Sequence, residues 1–285
     1  MKKKAFSIVE VSVIILAISI IVSIIVKSTS MIQETKIANA HNITKKSPIA
    51  QMNNVLLWYE TTTNESFISN ITADSLVSDW IVNEFFANYQ INLSQPTEAT
   101  KPQYVAQGIH KVPSLKFNNS CLAHQSGENI ILDGKRYTIY MVFQTNSNSQ
   151  QTLLHIKKAS VGSAIYVEIN NNNLSFTNRQ IVAGSGGQSY SLNIAQNVSY
   201  LFRAIKNNDK ISIWLNNNNP IANQAINSSS FTATDLSVEI GALGCSARFF
   251  NGFISELVIF NKALNENNRK LVDQYLGKKY GISFK

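Results

Sequence analysis

Glu10 is the first residue of this chain whose type and surroundings point to chemistry. It is the only charged side chain from Ala5 to Val26, and from Phe6 onward its polar company is Ser7, Ser12, Ser19 and Ser23. As a helix, the run from Phe6 to Val26 rises roughly 31 Å, about one hydrocarbon thickness. A carboxylate inside such a span is costly unless a cation meets it, so it marks a function. The other reactive residues are dispersed. His41, His110, His124 and His155 show no paired ligand spacing and no His-Glu-x-x-His. Cys121 and Cys245 form neither a Cys-x-x-Cys redox motif nor a metal knuckle. In an oxidising compartment they would be a disulfide; two buried free thiols fit the sequence equally well.

Paired carboxylates for retaining glycan hydrolysis are missing. No Glu-x-Asp-x-x-Glu strand occurs, and Glu239 and Glu256 stand alone on strand-like segments. There is no Gly-x-Ser-x-Gly elbow, and Gly184-Ser185-Gly186-Gly187 lacks the Lys-Ser/Thr of a phosphate loop. We therefore assign no catalytic residue, no metal ligand and no cofactor, and the chain does not read as an enzyme. Trp58, Trp80 and Trp214 are the candidates for stacking on sugar rings, against the core role that sandwich tryptophans usually take. The net charge is +8 with 15% charged residues. Outside Lys2-Lys3-Lys4 no basic block exceeds a pair, so nucleic acid is not an expected partner.

The elements that would carry these residues follow from patterning. The apolar run is longer than a secretory h-region and has no Ala-x-Ala after it, so it reads as an anchor rather than a cleaved signal. The lysines before it keep the N-terminus cytoplasmic and send the rest across the inner membrane. The helix continues past Val26 as a stalk until Ser47-Pro48 stops it. From Gln51 the texture becomes short β-forming runs separated by Asn, Gly, Ser and Pro. They include Val55–Tyr59, Arg136–Phe143, Ala164–Ile169, Val198–Ile205, Ile211–Leu215, Leu236–Ile240 and Phe253–Phe260. Lys206 to Lys210 reads as a hairpin connection. Ten or more strands without intervening helices predict an antiparallel sandwich. A last helix is capped by Asn265, carries Leu271, Val272, Tyr275 and Leu276 on one face, and stops at Gly281.

Lys-Lys-Lys-Ala/Phe-Ser-Ile-Val-Glu resembles the leader of type IV prepilins, which has basic residues, a Gly, then Phe-Thr-Leu-Ile-Glu. The resemblance implies cleavage by a prepilin peptidase between Ala5 and Phe6 and N-methylation of Phe6. It also implies a role for Glu10 in inserting the subunit among other pilin subunits. Ala5 departs from the usual Gly, which predicts slower cleavage.

A second resemblance covers about Asn54 to Ser283. Leu57-Trp58, Asp79-Trp80, Ala99-Thr100-Lys101-Pro102 and Pro113-Ser114-Leu115-Lys116-Phe117 are similar to the opening of laminin-G-like, concanavalin A-like jelly rolls. Asn251-Gly252-Phe253-Ile254-Ser255-Glu256 and Tyr275-Leu276-Gly277-Lys278-Lys279-Tyr280-Gly281-Ile282 are similar to their end. The family often binds calcium through acidic loops. Here Asn118-Asn119 and Tyr59-Glu60 replace expected Asp-containing pairs, which leaves calcium only weakly supported.

The organisation read from these signals is a leader at 1–5, a transmembrane and stalk helix at 6–47, a linker at 48–53 and a jelly roll at 54–285. The fold class is mainly β: a long N-terminal transmembrane helix, an antiparallel β-sandwich and a short C-terminal helix. The expected function is a membrane-anchored prepilin-like protein displaying a lectin-like domain for a glycan or protein ligand. That would be a minor pilin, a pseudopilin or a pilus-associated adhesin. The alternatives are a stand-alone anchored periplasmic scaffold and, behind it, a glycan-active enzyme.

Overall fold

The computed structural model describes residues 7–68, 71–83, 91–124, 132–158, 162–178, 188–216, 221–225, 232–233 and 236–283. A long helix, α1 (Ile8–Lys45), opens this part of the chain. It starts with a capping box: the Ser7 hydroxyl accepts from Val9 N, and Ser7 N donates to Glu10 Oε2 at 2.8 Å. Its stretch Ile8–Ser28 has a mean hydropathy of 2.9, is long and apolar enough to cross a membrane, and is not buried within the chain. Ser12, Ser19 and Ser23 donate to the carbonyl four residues back, so their hydroxyls need no outside partner.

The foot of α1 is docked rather than free. Ala40 and Thr44 are buried against the rest of the chain. Within segment 48–53, expected to be a linker, Ile49 is anchored in the core while Gln51 and Asn53 are exposed. Ser47 caps a 3-10 turn, Pro48–Gln51, whose Ile49 is fully buried and which lies on the C-terminal helix.

Two eight-stranded antiparallel sheets follow. The first runs Ile221–Ala225, Lys210–Leu215, Ser199–Asn207, Arg136–Thr145, Gly252–Phe260, Ser114–Phe117, Gln103–Val105. Val55–Glu60 shares the far half of Gly252–Phe260, pairing Glu60 with Glu256. The second runs Gln188–Asn193, Asn173–Asn178, Gly162–Asn170, Gln151–Lys158, Leu236–Ile240, Leu122–Ala123, Leu93–Ser94, Asp79–Trp80. Leu132–Asp133 and Thr232–Ala233 form a small separate pair.

Arg136–Thr145 is apolar on both faces because both faces are covered. Tyr137, Ile139, Met141 and Phe143 enter the core between the sheets. Tyr140 and Val142 enter a second core on the outside of the first sheet. That second core is roofed by the foot of α1, Ile49 and the C-terminal helix α2 (Glu266–Tyr280), through Val272, Tyr275, Leu276 and Tyr280. Asn265 caps α2 by accepting from Asn268 N at 2.9 Å, and Gly281 ends it with φ 63°. The hairpin connection is shorter than Lys206–Lys210. The strands continue to the Asn207–Lys210 pair, and Asn208 takes φ 56°, as a two-residue turn requires.

Candidate functional site

The residues singled out from the sequence separate into three groups. Ala5 and Phe6 lie outside the described residues. Glu10 sits in the first turn of α1, where its carboxylate accepts from Ser7 N. Cys121 and Cys245 form a disulfide with Cα atoms 5.5 Å apart.

Two of the three tryptophans are not ligand platforms. Trp58 and Trp80 are fully buried. Trp58 Nε1 donates to Glu256 Oε1 at 2.8 Å, and Trp80 Nε1 donates to the Glu60 carbonyl at 2.7 Å. Neither offers a ring face to solvent. Trp214 is half-buried, with the Arg203 guanidinium 4.2 Å and the Arg269 guanidinium 5.5 Å from its ring. Its π-surface already holds cations.

Glu256 belongs to a buried cluster that the sequence only hinted at. Lys279 Nζ lies 2.8 Å from Glu256 Oε2 and 3.1 Å from Glu60 Oε2. Glu256 also accepts from Tyr275 and Tyr280 hydroxyls at 2.8 Å each. Glu60 accepts from the backbone and hydroxyls of Thr62 and Thr63 and from Ser66 Oγ. Burial alone would raise the Glu60 carboxyl, but Lys279 and the three hydroxyls outweigh it and hold it at about 2. Every carboxylate oxygen is engaged and the group is sealed from solvent, so Glu60 stays ionised.

The outer face of the second sheet is polar: His155, Glu239 and Thr152 are buried on it, and Tyr166, Thr177 and Glu168 are half-buried. Its strands send Ile156, Val167, Phe176 and Val238 into the inter-sheet core. Period-two alternation then sends their neighbours outward. Register places Glu239 opposite His155, His155 opposite Tyr166, Tyr166 opposite Thr177 and Thr177 opposite Ser189, one row across five strands. The His155 and Tyr166 rings stack at 4.7 Å with a 7° interplanar angle. His155 Nδ1 is 2.7 Å from Glu239 Oε2, Lys157 Nζ reaches Glu239 Oε1 at 2.5 Å, and Gly244 N donates to Oε2 at 2.8 Å. Burial pushes the Glu239 carboxyl up, but His155, Lys157 and the Gly244 amide override it, to about 2. Two strands' width of this face also carries Glu168, which accepts from Thr152 Oγ1 and from Arg248.

Cys245 lies in the loop after Leu236–Ile240 that supplies Gly244 and Arg248, so the disulfide ties that loop to the strand Leu122–Ala123. The disulfide thereby braces one edge of the polar face. Chemically the face offers an aromatic platform in Tyr166, hydroxyls in Thr177 and Ser189, and fixed charges at its rim. Among the described residues no group of three or more His, Cys, Asp or Glu could hold a metal ion. Sequence reading missed Tyr166 and His155 as a pair, since only the register brings them together.

The sequence matches no protein-family model and no curated protein. Solved structures show the class: a β-sandwich. The binding domain of botulinum neurotoxin serotype G has a TM-score of 0.57 and 13% identity, over 79% of this chain and 51% of that one. The serotype D binding domain has 0.55 and 14%, over 79% and 52%. Domain 4 of AbnA, a GH43 extracellular arabinanase from Geobacillus stearothermophilus solved with arabinotriose, has 0.50 and 12%, over 77% and 97%. The chain spans about half the length of the toxin domains it matches. At these identities the likeness is one of fold.

Proposed function

We propose that this chain is a membrane-anchored, prepilin-like protein that presents a glycan-binding β-sandwich beyond the inner membrane. The observation that carries this reading is the continuity of α1. A single helix runs from the apolar stretch Ile8–Ser28 to a foot buried against the sandwich, so whatever holds the helix holds the head. In this reading a prepilin peptidase cuts between Ala5 and Phe6, and Glu10 meets the amine of a neighbouring subunit. The outer row binds sugar by stacking on the half-buried Tyr166 ring, which the buried His155 backs, and by hydroxyl contacts. The arabinotriose bound to a sandwich of similar fold supports a glycan over a protein ligand.

The test has two parts. The mature N-terminus is read by mass spectrometry: methylated Phe6 supports processing, and an intact Met1 refutes it. The full-length protein in detergent is then applied to a glycan array, where binding abolished by Tyr166→Ala supports the face and no binding refutes it.

A second reading is a stand-alone anchored module that never polymerises. It is favoured by the Glu10 carboxylate accepting from its own chain's Ser7 N, an arrangement complete without a second subunit.

A further inference from the structure

Where α1 meets the head, a notch gathers cations that no carboxylate neutralises. Lys36 and Asn39 of α1 face His110 and Lys278 across a cleft of about 140 Å³. Through Asn39 and Lys278 the cleft continues into a groove of about 450 Å³ that adds Lys46 and Gln274. Neither cavity has an Asp or Glu in its lining. Lys36, Lys46 and Lys278 form no ion pair among the described residues. Lys279 also borders the cleft, but its ammonium is committed to Glu60 and Glu256 below.

Basic residues near helix C-termini often serve only to offset the helix dipole, a contribution of about 0.3–1 kcal/mol. That accounts for Lys46 and Lys278. It does not account for Lys36, more than two turns before the end of α1, or for His110, which sits on a separate turn. The His110 turn is strained. His110 and Lys111 both adopt left-handed φ, 51° and 62°. For non-glycine residues this costs roughly 1–2 kcal/mol each. Buried Ser114 holds the turn: its Oγ accepts from Ile109 N at 2.9 Å and reaches the Val112 carbonyl at 3.2 Å. The exposed His110 ring lies against Gly281, where an added Cβ would come within 2.4 Å of it. Strain maintained by a buried clamp, beside a cleft lined by Lys36, Lys278 and the His110 imidazole, motivates a binding role for this corner.

We propose that this notch binds a phosphate-class anion. Lys36 and Lys278 supply charge, and His110 and Asn39 supply hydrogen-bonding groups. Two sources carry that chemistry: inorganic phosphate in solution and the headgroup of an anionic phospholipid. The second is within reach if α1 spans a membrane, since Lys36 lies roughly 12 Å of helix rise beyond Ser28. The anion site itself does not depend on that reading.

Full-length protein in a neutral maltoside detergent is titrated with inorganic phosphate by calorimetry at low salt. Saturable binding that weakens at least tenfold in Lys36→Gln/Lys278→Gln, and persists in Lys270→Gln, supports the site. Lys270 pairs with Glu266 at 2.8 Å on an exposed face and reports loss of charge alone. Asn39→Asp keeps both lysines and adds a negative charge, so it should weaken phosphate without touching the fold. Absence of binding by the wild type, equal loss in Lys270→Gln, or no effect of Asn39→Asp overturns the proposal. Nanodiscs separate the sources: phosphatidylglycerol that competes with phosphate identifies the lipid headgroup, and undiminished phosphate affinity identifies the free anion.

Discussion

Thr44, in the last turn of α1, and Thr62, just past the first strand of the sandwich, share a hydroxyl–hydroxyl hydrogen bond of 2.9 Å. Thr62 in turn donates to Glu60 from both its backbone and its hydroxyl. Glu60 is bridged by Lys279 to Glu256. The membrane-length helix, the two paired strands and α2 therefore meet in one buried polar network. Because both Glu60 and Glu256 are carboxylates facing a single ammonium, the network depends on Lys279 more than on any other member.

Lys279→Met removes that ammonium and leaves two buried carboxylates in register with no counter-charge. Breaking a buried pair in this way costs about 3–5 kcal/mol. Thermal unfolding in detergent should show a drop of many degrees. Adding Glu256→Gln to Lys279→Met should recover part of it; a further drop would show that the carboxylates do not repel.

The same cluster sets an acid limit. Glu60 is held at about 2 against an ordinary value of 4.5, so its folded form binds its proton more weakly than the unfolded chain does. Its stabilisation is fully present above about pH 4.5 and is lost as pH falls toward 2, on the order of 3 kcal/mol. Denaturant midpoints measured from pH 6 to pH 2 should fall in that window, and the fall should shrink in Glu60→Gln.

Much of this was legible in the sequence, and the boundary is physical. The strands Arg136–Thr145 and Gly252–Phe260, the caps Asn265 and Gly281, and the apolar helix all leave local signatures in composition and spacing. The Tyr166–His155 platform leaves none, because it exists only through the register of two strands. Trp58 and Trp80 were eligible for a surface by residue type, yet each indole N–H finds a buried acceptor, Glu256 or the Glu60 carbonyl. Segment 48–53 looked like a linker because Ser47-Pro48 ends the helix. Ile49 instead fills the outer core, a tertiary contact that no local pattern encodes.

The disulfide should matter to both stability and binding. Cys121 and Cys245 are 124 residues apart, and a bridge across so long a loop contributes typically about 2–4 kcal/mol. Cys121→Ser/Cys245→Ser should lower the melting temperature and also weaken glycan binding, since the loop bearing Gly244 and Arg248 loses its tie to the sheet. Unchanged melting with and without reductant would remove the first half of this expectation.

Tyr166→Ala should reduce glycan affinity about tenfold or more, with little change in melting, because the ring is half-buried on the outer face. Trp80→Phe should do the opposite. It leaves the Glu60 carbonyl without its indole donor inside the core, which costs about 1–3 kcal/mol, and should leave affinity intact. Isothermal titration and thermal melts on the same two variants separate the roles.

Glu10 offers the sharpest test of how the chain is used. Its carboxylate does two things that substitutions can separate: it accepts from Ser7 N, and it carries a charge into an apolar helix. Glu10→Gln keeps the acceptor and discards the charge, whereas Glu10→Ala discards both. If the residue only caps its own helix, Glu10→Gln behaves as wild type and Glu10→Ala loses about 0.5–2 kcal/mol of helix-start stability. If it pairs with the amine of a neighbouring subunit, the two variants fail alike, because a neutral amide cannot replace a carboxylate opposite an ammonium in hydrocarbon. We expect both to be missing from sheared filament fractions while remaining in the membrane. Normal incorporation of Glu10→Gln would assign the carboxylate to capping, whereas absence of the wild-type chain itself from filament fractions would leave the anchored, non-polymerising reading in place.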